Sequence, residues 1–275
     1  MPEAPDLVVI REFLLTRLVG DEITAASERK PLVLRNMQNV DFETDLRGKR
    51  VESIERHGKL LEIGLSENRE LVISLMLTVA LMWCDPATRM MASTVLVFEM
   101  KSGKQLRYID QKRMGQVYYI APDQRSEIVR LENQGPDVID EPLSLDEFNL
   151  VLKPFRGELK GVLTRGKLIA GIGNAYADEI LHNAMIYPFK KVIKLSADEK
   201  ASLHRSIYSV TGAAVDILRK RIGDQIHMKI RDFLSVHGKK NENCPRCGSK
   251  ITVITANKRE TSYCRACQPG SLLDR

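Results

Sequence analysis

The sequence lacks any long hydrophobic run. A membrane-spanning helix needs about 18 consecutive apolar residues, and no such run occurs in the 275 residues. No charged segment followed by an apolar one stands at the amino terminus, so we expect neither secretion nor membrane insertion. Internal repeats and low-complexity tracts are also absent. We therefore expect an intracellular, cytoplasmic protein that folds as one large or two ordinary domains.

Cysteine is scarce and unevenly distributed. Only Cys84 lies outside the last 32 residues, which hold Cys244, Cys247, Cys264 and Cys267. These four form two C-x2-C pairs separated by 16 residues, and such pairs can surround a tetrahedral zinc ion with thiolates. Two disulfides or four unrelated thiols are the alternatives, and a reducing compartment favours zinc. The five histidines show no metal-ligand spacing, and we expect them to be structural or exposed. The array predicts one structural zinc ion that stabilises a hairpin too small to fold alone.

Acidic residues are outnumbered by basic ones. The 42 Lys and Arg against 36 Asp and Glu give a net charge of +6 and a pI near 9.0. Few acids interrupt the basic residues between 219 and 267, which include Arg219, Lys220, Arg221, Lys229, Arg231, Lys239, Lys240, Arg246, Lys250, Lys258, Arg259 and Arg265. A nucleic-acid backbone is the commonest partner of such a stripe, and a solvated face is the alternative.

The apolar pattern predicts an α+β protein. Helical spacing of apolar residues predicts one leading helix over 5–18, with Pro5 in its first turn and Gly20 at its end. Short apolar runs separated by turn residues then predict strands at 59–65, 70–83, 93–100, 105–110 and 116–120. Several strands in succession after one helix favour an antiparallel β-sandwich.

The second half of the sequence predicts helices. Apolar content falls around 121–142, where Pro122, Gly135-Pro136 and Pro142 mark a domain boundary. Two capping boxes follow, at Ser144–Glu147 and Ser196–Glu199. We expect the segment 144–222 to be all-helical and the zinc hairpin to begin near residue 240.

The amino terminus carries a candidate nucleophile. Removal of Met1 would leave Pro2 as a secondary amine, and an α-amino group with a pKa near 8 is partly neutral at physiological pH. Such an amine condenses with a sugar aldehyde carbon to an iminium ion, which withdraws electrons, and Glu3 is suited to moving protons. Many chains begin Met-Pro without any catalytic reason, so the pair alone is weak evidence.

Three further segments carry candidate binding residues. Gly171, Gly173 and Asn174 precede a helical pattern, and a helix start is an anion site, although most Gly-x-Gly segments are ordinary turns. His57-Gly58-Lys59 offers a cation at a turn, or merely a strand-edge lysine. In the loop from Asp110 to Gly115, Arg113 beside the apolar Met114 suits entry into a DNA stack where a base has been extruded, or is simply solvated.

Together these motifs resemble the formamidopyrimidine-DNA glycosylase/endonuclease VIII family over essentially the whole chain. The resemblance implies three domains: a β-sandwich catalytic domain at 1–130, a helical helix–two-turn–helix domain at 131–238 and a zinc-finger hairpin at 239–275. It also implies a partner, damaged double-stranded DNA, whose damaged nucleotide is flipped out of the duplex. We expect a monomer.

The resemblance also implies roles for individual residues. Pro2 would attack the sugar and expel an oxidised base, Glu3 would act as general acid and base, and strand cleavage by β- and then δ-elimination would follow. Lys59 would contact the phosphate and the lesion. The other candidate residues would contact the DNA. Lys160, Asn174 and Arg259 would hold phosphates, and Arg113, Leu77 and Met114 would fill the space that the flipped nucleotide leaves in the duplex.

Some positions depart from the family pattern. Asp6 stands where Glu is common, Ser74 where His is frequent, and Leu77 and Met114 where Met and Phe are frequent. The segment from Gly223 to Ile230 is short for the loop that closes over an oxidised purine, so the branch of the family stays open. A non-catalytic damaged-DNA-binding protein on the same scaffold is the alternative, and a general zinc-ribbon nucleic-acid protein is a third reading. Neither gives a reason for the terminal Pro-Glu pair.

Overall fold

The computed structural model describes residues 1–76, 78–256 and 259–270. The chain forms two compact units, one of Met1–Glu132 with Ile217–Ile230 and one of Asn133–Asp216 with Arg231–Arg275. Among the described helices, none is long and apolar enough to cross a membrane.

The first unit begins with the predicted helix. Helix α1 spans Ala4–Leu18 and buries Leu7, Leu14 and Leu18, whose spacing places them on one face. The expectation of a helix over 5–18 is confirmed. The helix ends where Gly20 adopts a φ of +86°, a conformation that glycine enters without steric cost.

Among the described residues of this unit, nine strands form two sheets. A five-stranded sheet has the order β2-β9-β5-β4-β3 and a four-stranded sheet the order β1-β7-β8-β6. Neighbouring strands are antiparallel except β2 and β9, which are parallel. The strands are β1 Ile23–Glu28, β2 Leu34–Asn36, β3 Val51–His57, β4 Leu60–Leu65, β5 Arg69–Ser74, β6 Val79–Cys84, β7 Thr94–Met100, β8 Gln105–Asp110 and β9 Gln116–Ile120.

Both sheets bury residues in one hydrophobic core. Ile54, Leu61 and Ile73 come from the five-stranded sheet, and Phe98 and Leu106 from the four-stranded sheet. Apolar side chains of α1 complete this core. The N-terminal sandwich of the predicted α+β fold is therefore confirmed.

Two details of the strand prediction were wrong. The single strand expected at 70–83 is two strands, β5 and β6, and these belong to different sheets. The turn between them begins with the apolar Leu75 and Met76, so no polar or glycine signal separated the two runs. Strands β1, β2 and β3 and the short helix α2 (Phe42–Leu46) were not predicted, because their buried positions do not alternate regularly.

The second unit is mainly helical. The capping boxes are confirmed: the Ser144 hydroxyl accepts from the Glu147 N–H, and the Ser196 hydroxyl accepts from the Glu199 N–H. The remaining helices are α3 Val129–Glu132, which belongs to the first unit, and α4 Leu145–Leu152, α5 Leu159–Thr164, α6 Asn174–Ala184 and α7 Ala197–Arg221. A two-stranded antiparallel hairpin of β10 (Ile251–Ala256) and β11 (Arg259–Cys264) follows.

Candidate active site and metal centre

The candidate nucleophile lies directly before α1. Pro2 and Glu3 are both buried, and Glu3 is 3% exposed. The backbone N–H of Glu3 donates to the carboxylate of Asp6 at 2.8 Å, which satisfies one of the otherwise unpaired donors of the helix start. Asp6 therefore fixes the backbone at the residue that follows Pro2.

A mainly apolar cavity adjoins Pro2 within the first unit. Its volume is about 10 Å³, close to the space that one water molecule needs, and its lining includes Pro2, Asp6, Ile10, Leu75, Val79, Ile222, Ile226, His227 and Met228. Burial lowers the pKa of His227, so its imidazole is neutral near pH 7. No sequence pattern singles out His227, because nothing in its local sequence indicates that the chain returns there to line a cavity with residue 2.

Lys59 lies on a tightly held turn. Strand β3 ends at His57 and β4 begins at Leu60, and Gly58 between them has a φ of +56°. The guanidinium of Arg56, itself 6% exposed, donates to the carbonyl oxygen of Gly58 at 2.8 Å. Arg56 thus fixes the backbone that carries Lys59.

The loop between β8 and β9 is organised by Asp110. This carboxylate is 1% exposed and accepts from the Thr78 hydroxyl at 2.7 Å, from the Lys112 N–H at 3.1 Å and from the Gly115 N–H at 2.8 Å. Arg113 adopts a φ of +50°, and the side chain of Met114 is 46% exposed. The loop therefore presents the two predicted wedge residues on a fixed backbone. Leu77, the third, lies outside the described residues.

In the second unit, Asn174 is the first residue of α6. Gly171 before it has a φ of +95°, and Gly173 is the N-cap. The carboxamide of Asn174 donates through Nδ2 to the backbone carbonyl of Glu260 at 2.9 Å. This contact joins the start of α6 to the second residue of strand β11.

Lys160 reaches the same point of the hairpin. It is 7% exposed, and its ammonium donates to the Glu260 carbonyl at 2.7 Å and to the Thr261 hydroxyl at 3.0 Å. It also forms an ion pair with Asp178 at 2.6 Å. The exposed Arg259 adjoins Glu260 in the chain. The structure therefore brings Lys160 and Asn174 to the residue next to Arg259, while the contact of each with phosphate stays a prediction.

The four predicted metal ligands converge at the base of the hairpin. Their Sγ atoms all lie within 4.8 Å of one another, with Cys244 and Cys267 at 3.8 Å and Cys247 and Cys264 at 3.5 Å. Four sulfurs about 2.3 Å from a tetrahedral zinc ion would be about 3.8 Å apart, and no cysteine is in a disulfide. This donor set fits one structural zinc ion. Four protein ligands leave no open coordination position, so the ion performs no chemistry.

A histidine supports this centre from α6. Nε2 of His182 lies 3.3 Å from Sγ of Cys244. Burial and the neighbouring Arg246 lower the pKa of His182 to about 4, so the ring is neutral and can donate one N–H to the sulfur. The sequence contained no sign of this contact, because His182 and Cys244 are 62 positions apart.

Three family models match the chain. The N-terminal domain of formamidopyrimidine-DNA glycosylase matches residues 1–117, and the H2TH domain of the same enzyme matches 134–225. The zinc finger found in FPG and IleRS matches residues 241–270.

Curated relatives and solved structures agree with these matches. The formamidopyrimidine-DNA glycosylase of Desulforamulus reducens is 30% identical over 98% of this chain and 99% of its own length. That of Pelotomaculum thermopropionicum is 29% identical over 98% of this chain and 99% of its own length. MutM in complex with DNA containing carbocyclic 8-oxo-G superposes with a TM-score of 0.86 at 27% identity, covering 98% of this chain and 100% of that one. The Fpg of Lactococcus lactis in complex with DNA containing an abasic site gives a TM-score of 0.87 at 27% identity, with the same coverage. The chain therefore belongs to the formamidopyrimidine-DNA glycosylase family.

Proposed function

We propose that this protein is a DNA glycosylase of base excision repair that removes oxidised bases from duplex DNA and then cleaves the strand as an AP lyase. The observation that carries the proposal is the Pro2-Glu3 pair, held before α1 with Pro2 lining an apolar cavity, in a member of this family. Solved neighbours in complex with 8-oxo-G or abasic DNA support damaged DNA as the substrate.

The first step is displacement of the base. With Met1 removed, the Pro2 nitrogen donates its lone pair to the anomeric carbon of the flipped nucleotide, and the electron pair of the N-glycosidic bond leaves with the base. The nitrogen then gives up its proton, which neutralises the departing base, and regains a lone pair for the next step. The mainly apolar surroundings of Pro2 favour the neutral, nucleophilic form of the amine over the charged one.

The second step is cleavage of the strand. The Pro2 nitrogen forms an iminium as the ring oxygen of the sugar departs, and Glu3 supplies the proton to that oxygen. The iminium draws electrons from the adjacent carbon, so a proton is lost there and the 3′ phosphate leaves. A further proton loss along the conjugated system then expels the 5′ phosphate.

The remaining candidate residues would hold the DNA. Lys59, Asn174 and Arg259 are proposed to contact phosphates, and Arg113 and Met114, with Leu77, to fill the space of the flipped nucleotide. Lys160 would contact a phosphate only if its ammonium gave up a hydrogen bond to Glu260 or Thr261 of the hairpin. The proposal includes three domains, at 1–130, 131–238 and 239–275. It also includes a monomeric enzyme, because one lesion needs only one nucleophile.

Borohydride trapping tests the proposal. The protein is incubated with duplex DNA carrying an abasic site or an oxidised base, and borohydride reduces any iminium to a stable covalent adduct. We expect an adduct with the wild-type protein and none with Pro2→Gly or with Met1 retained. Pro5→Ala, which alters another proline at the same helix start, should still be trapped.

Absence of an adduct on every lesion would contradict the catalytic proposal. If the same protein still bound damaged duplex more tightly than undamaged duplex, the alternative of a non-catalytic damage-binding protein would replace it. Glu3→Gln should form the adduct poorly and leave the strand largely uncleaved, because general acid–base catalysis contributes about 100- to 10,000-fold.

A further inference from the structure

Asp178 on α6 lies at the centre of a buried polar cluster. Its side chain is 0% exposed, and its carboxylate meets groups from three other segments of the second unit. The Lys160 ammonium of α5 lies 2.6 Å from Oδ1, while Nδ1 of His237 lies 2.8 Å and the backbone N–H of Ser262 on β11 3.2 Å from Oδ2. A carboxylate only accepts hydrogen bonds, so Nδ1 of His237 carries the proton.

This cluster makes the carboxylate an anchor for the ammonium. An ionised carboxylate is stable in a dry interior only when it is paired and hydrogen-bonded, and the same holds for an ammonium. Lys160 pairs with Asp178 and also donates to Glu260 and Thr261. The charge on Asp178 thereby keeps the Lys160 ammonium against the backbone of β11.

The anchored stretch of β11 is the end that carries Arg259. The zinc site holds the opposite end of that strand through Cys264, and the Asp178 cluster holds residues 260–262. Asn174 donates to the same Glu260 carbonyl. The backbone next to Arg259 is therefore joined to the start of α6 by contacts that do not involve the metal ligands.

We propose that Asp178 is a positioning residue. Through Lys160 it holds the backbone of Arg259 in place beside Asn174, so that the side chains of Arg259 and Asn174 can both contact DNA phosphates. The inference rests on the proposed function, in which Arg259 and Asn174 contact phosphates. Zinc shapes the base of the hairpin, and Asp178 sets where Arg259 meets the DNA.

A double-mutant cycle on DNA affinity tests this role. Asp178→Asn keeps the side-chain shape and removes the charge, and Arg259→Ala removes the gripping side chain. On duplex DNA with an uncleavable abasic analogue, we expect Asp178→Asn to weaken binding by about 3- to 10-fold. In the Arg259→Ala background the same change should cost less than about twofold, because the residue it positions is gone. Zinc content should stay at one ion per chain.

Glu179→Gln is the matched control. It removes a buried charge from the neighbouring position of α6, but Glu179 accepts from the backbone N–H groups of residues 235–237 rather than from β11. Its effect on affinity should be the same with or without Arg259. If Asp178→Asn fails to fold by circular dichroism, the cycle is run with the neutral pair Asp178→Asn and Lys160→Gln, which leaves no buried charge unpaired.

Additive losses from Asp178→Asn and Arg259→Ala would overturn the positioning role, since they would show independent effects. Unchanged DNA affinity in Arg259→Ala would also overturn the positioning role, because Arg259 would then make no phosphate contact for Asp178 to support. Neither result bears on borohydride trapping at Pro2, so failure of this inference and failure of the proposed catalysis are distinguishable.

Discussion

At the scale of single residues, Gly115 shows how little room the candidate site leaves. A Cβ at this position would lie 1.8 Å from the Tyr108 hydroxyl oxygen and 2.7 Å from a methyl group of Val79. The Tyr108 hydroxyl donates to the backbone carbonyl oxygen of Ser74, and Tyr108 is fully buried. The Tyr108 side chain therefore cannot move away from an added carbon. The end of the Asp110–Gly115 loop is therefore held by packing as well as by hydrogen bonds.

We predict that Gly115→Ala destabilises the protein by about 1–3 kcal/mol, the usual cost of forcing atoms into a packed core. Thermal or denaturant unfolding measures this change. Gly161→Ala is the control, because residue 161 lies in helix α5 with nothing within 4 Å of the added carbon. That substitution should be neutral or stabilising, and equal effects at both positions would contradict the packing account.

At the scale of structural elements, buried carboxylates fix irregular segments of the chain, and one of these segments carries candidate DNA contacts. Asp110 fixes the loop of Arg113, and Glu179 accepts three backbone N–H groups just before the zinc finger. Each acts by satisfying backbone donors that no regular element would satisfy.

For the loop, we predict that Asp110→Ala weakens binding to lesion-containing duplex and lowers stability by about 1–3 kcal/mol, because the buried N–H of Gly115 and the partly buried N–H of Lys112 lose their acceptor. Affinity titrations and unfolding curves measure the two effects. Asp123→Ala, at an exposed position of the 3₁₀ helix Pro122–Glu127 in the same unit, should change neither. A fully stable Asp110→Ala variant would show that the loop does not depend on this carboxylate.

For the zinc hairpin, we predict that chelation of the metal abolishes hydrogen-exchange protection in β10 and β11 and leaves β4 and β5 protected. A two-stranded hairpin buries too little surface to fold without its metal, whereas the sandwich has its own core. Cys244→Ser should behave like the chelated protein, and Cys84→Ser, outside the array, should keep its zinc. Protected hairpin amides in the metal-free protein would count against a structural role for zinc.

The elements also show what the sequence could predict. The C-x2-C pairs and the capping boxes are short-range patterns whose spacing dictates their geometry, and the structure confirms them. Strands β1 to β3 lack regular alternation of buried residues, and β1 and β2 pair with β7 and β9, which lie far along the chain. The Lys160 contact with Glu260 spans 100 positions, and the Asp178 contact with Ser262 spans 84. No local pattern encodes contacts of that separation.

At the scale of the whole molecule, the net charge of +6 and the basic stripe between residues 219 and 267 favour a polyanionic partner. Binding that neutralises phosphates releases counterions, so affinity falls as salt rises. The slope of log affinity against log salt concentration therefore reports the number of phosphate contacts more directly than an affinity measured at one salt concentration.

We predict that Arg259→Ala lowers the slope of log affinity against log salt concentration by about 0.9, the contribution of one phosphate contact. Zinc content should be unchanged, because Arg259 is not a ligand. Arg265→Ala, between the last two cysteines, is the comparison for a basic residue on the same finger to which no phosphate contact is assigned. An unchanged slope in Arg259→Ala would remove the proposed contact.

The central claim is that the Pro2 nitrogen forms the covalent intermediate. The most direct test is to reduce the complex with abasic DNA by borohydride, digest it and locate the sugar remnant by tandem mass spectrometry. We expect the added mass to lie on Pro2 in a peptide lacking Met1. A remnant on the ε-amino group of a lysine such as Lys59 or Lys160, with Pro2 unmodified, would contradict it.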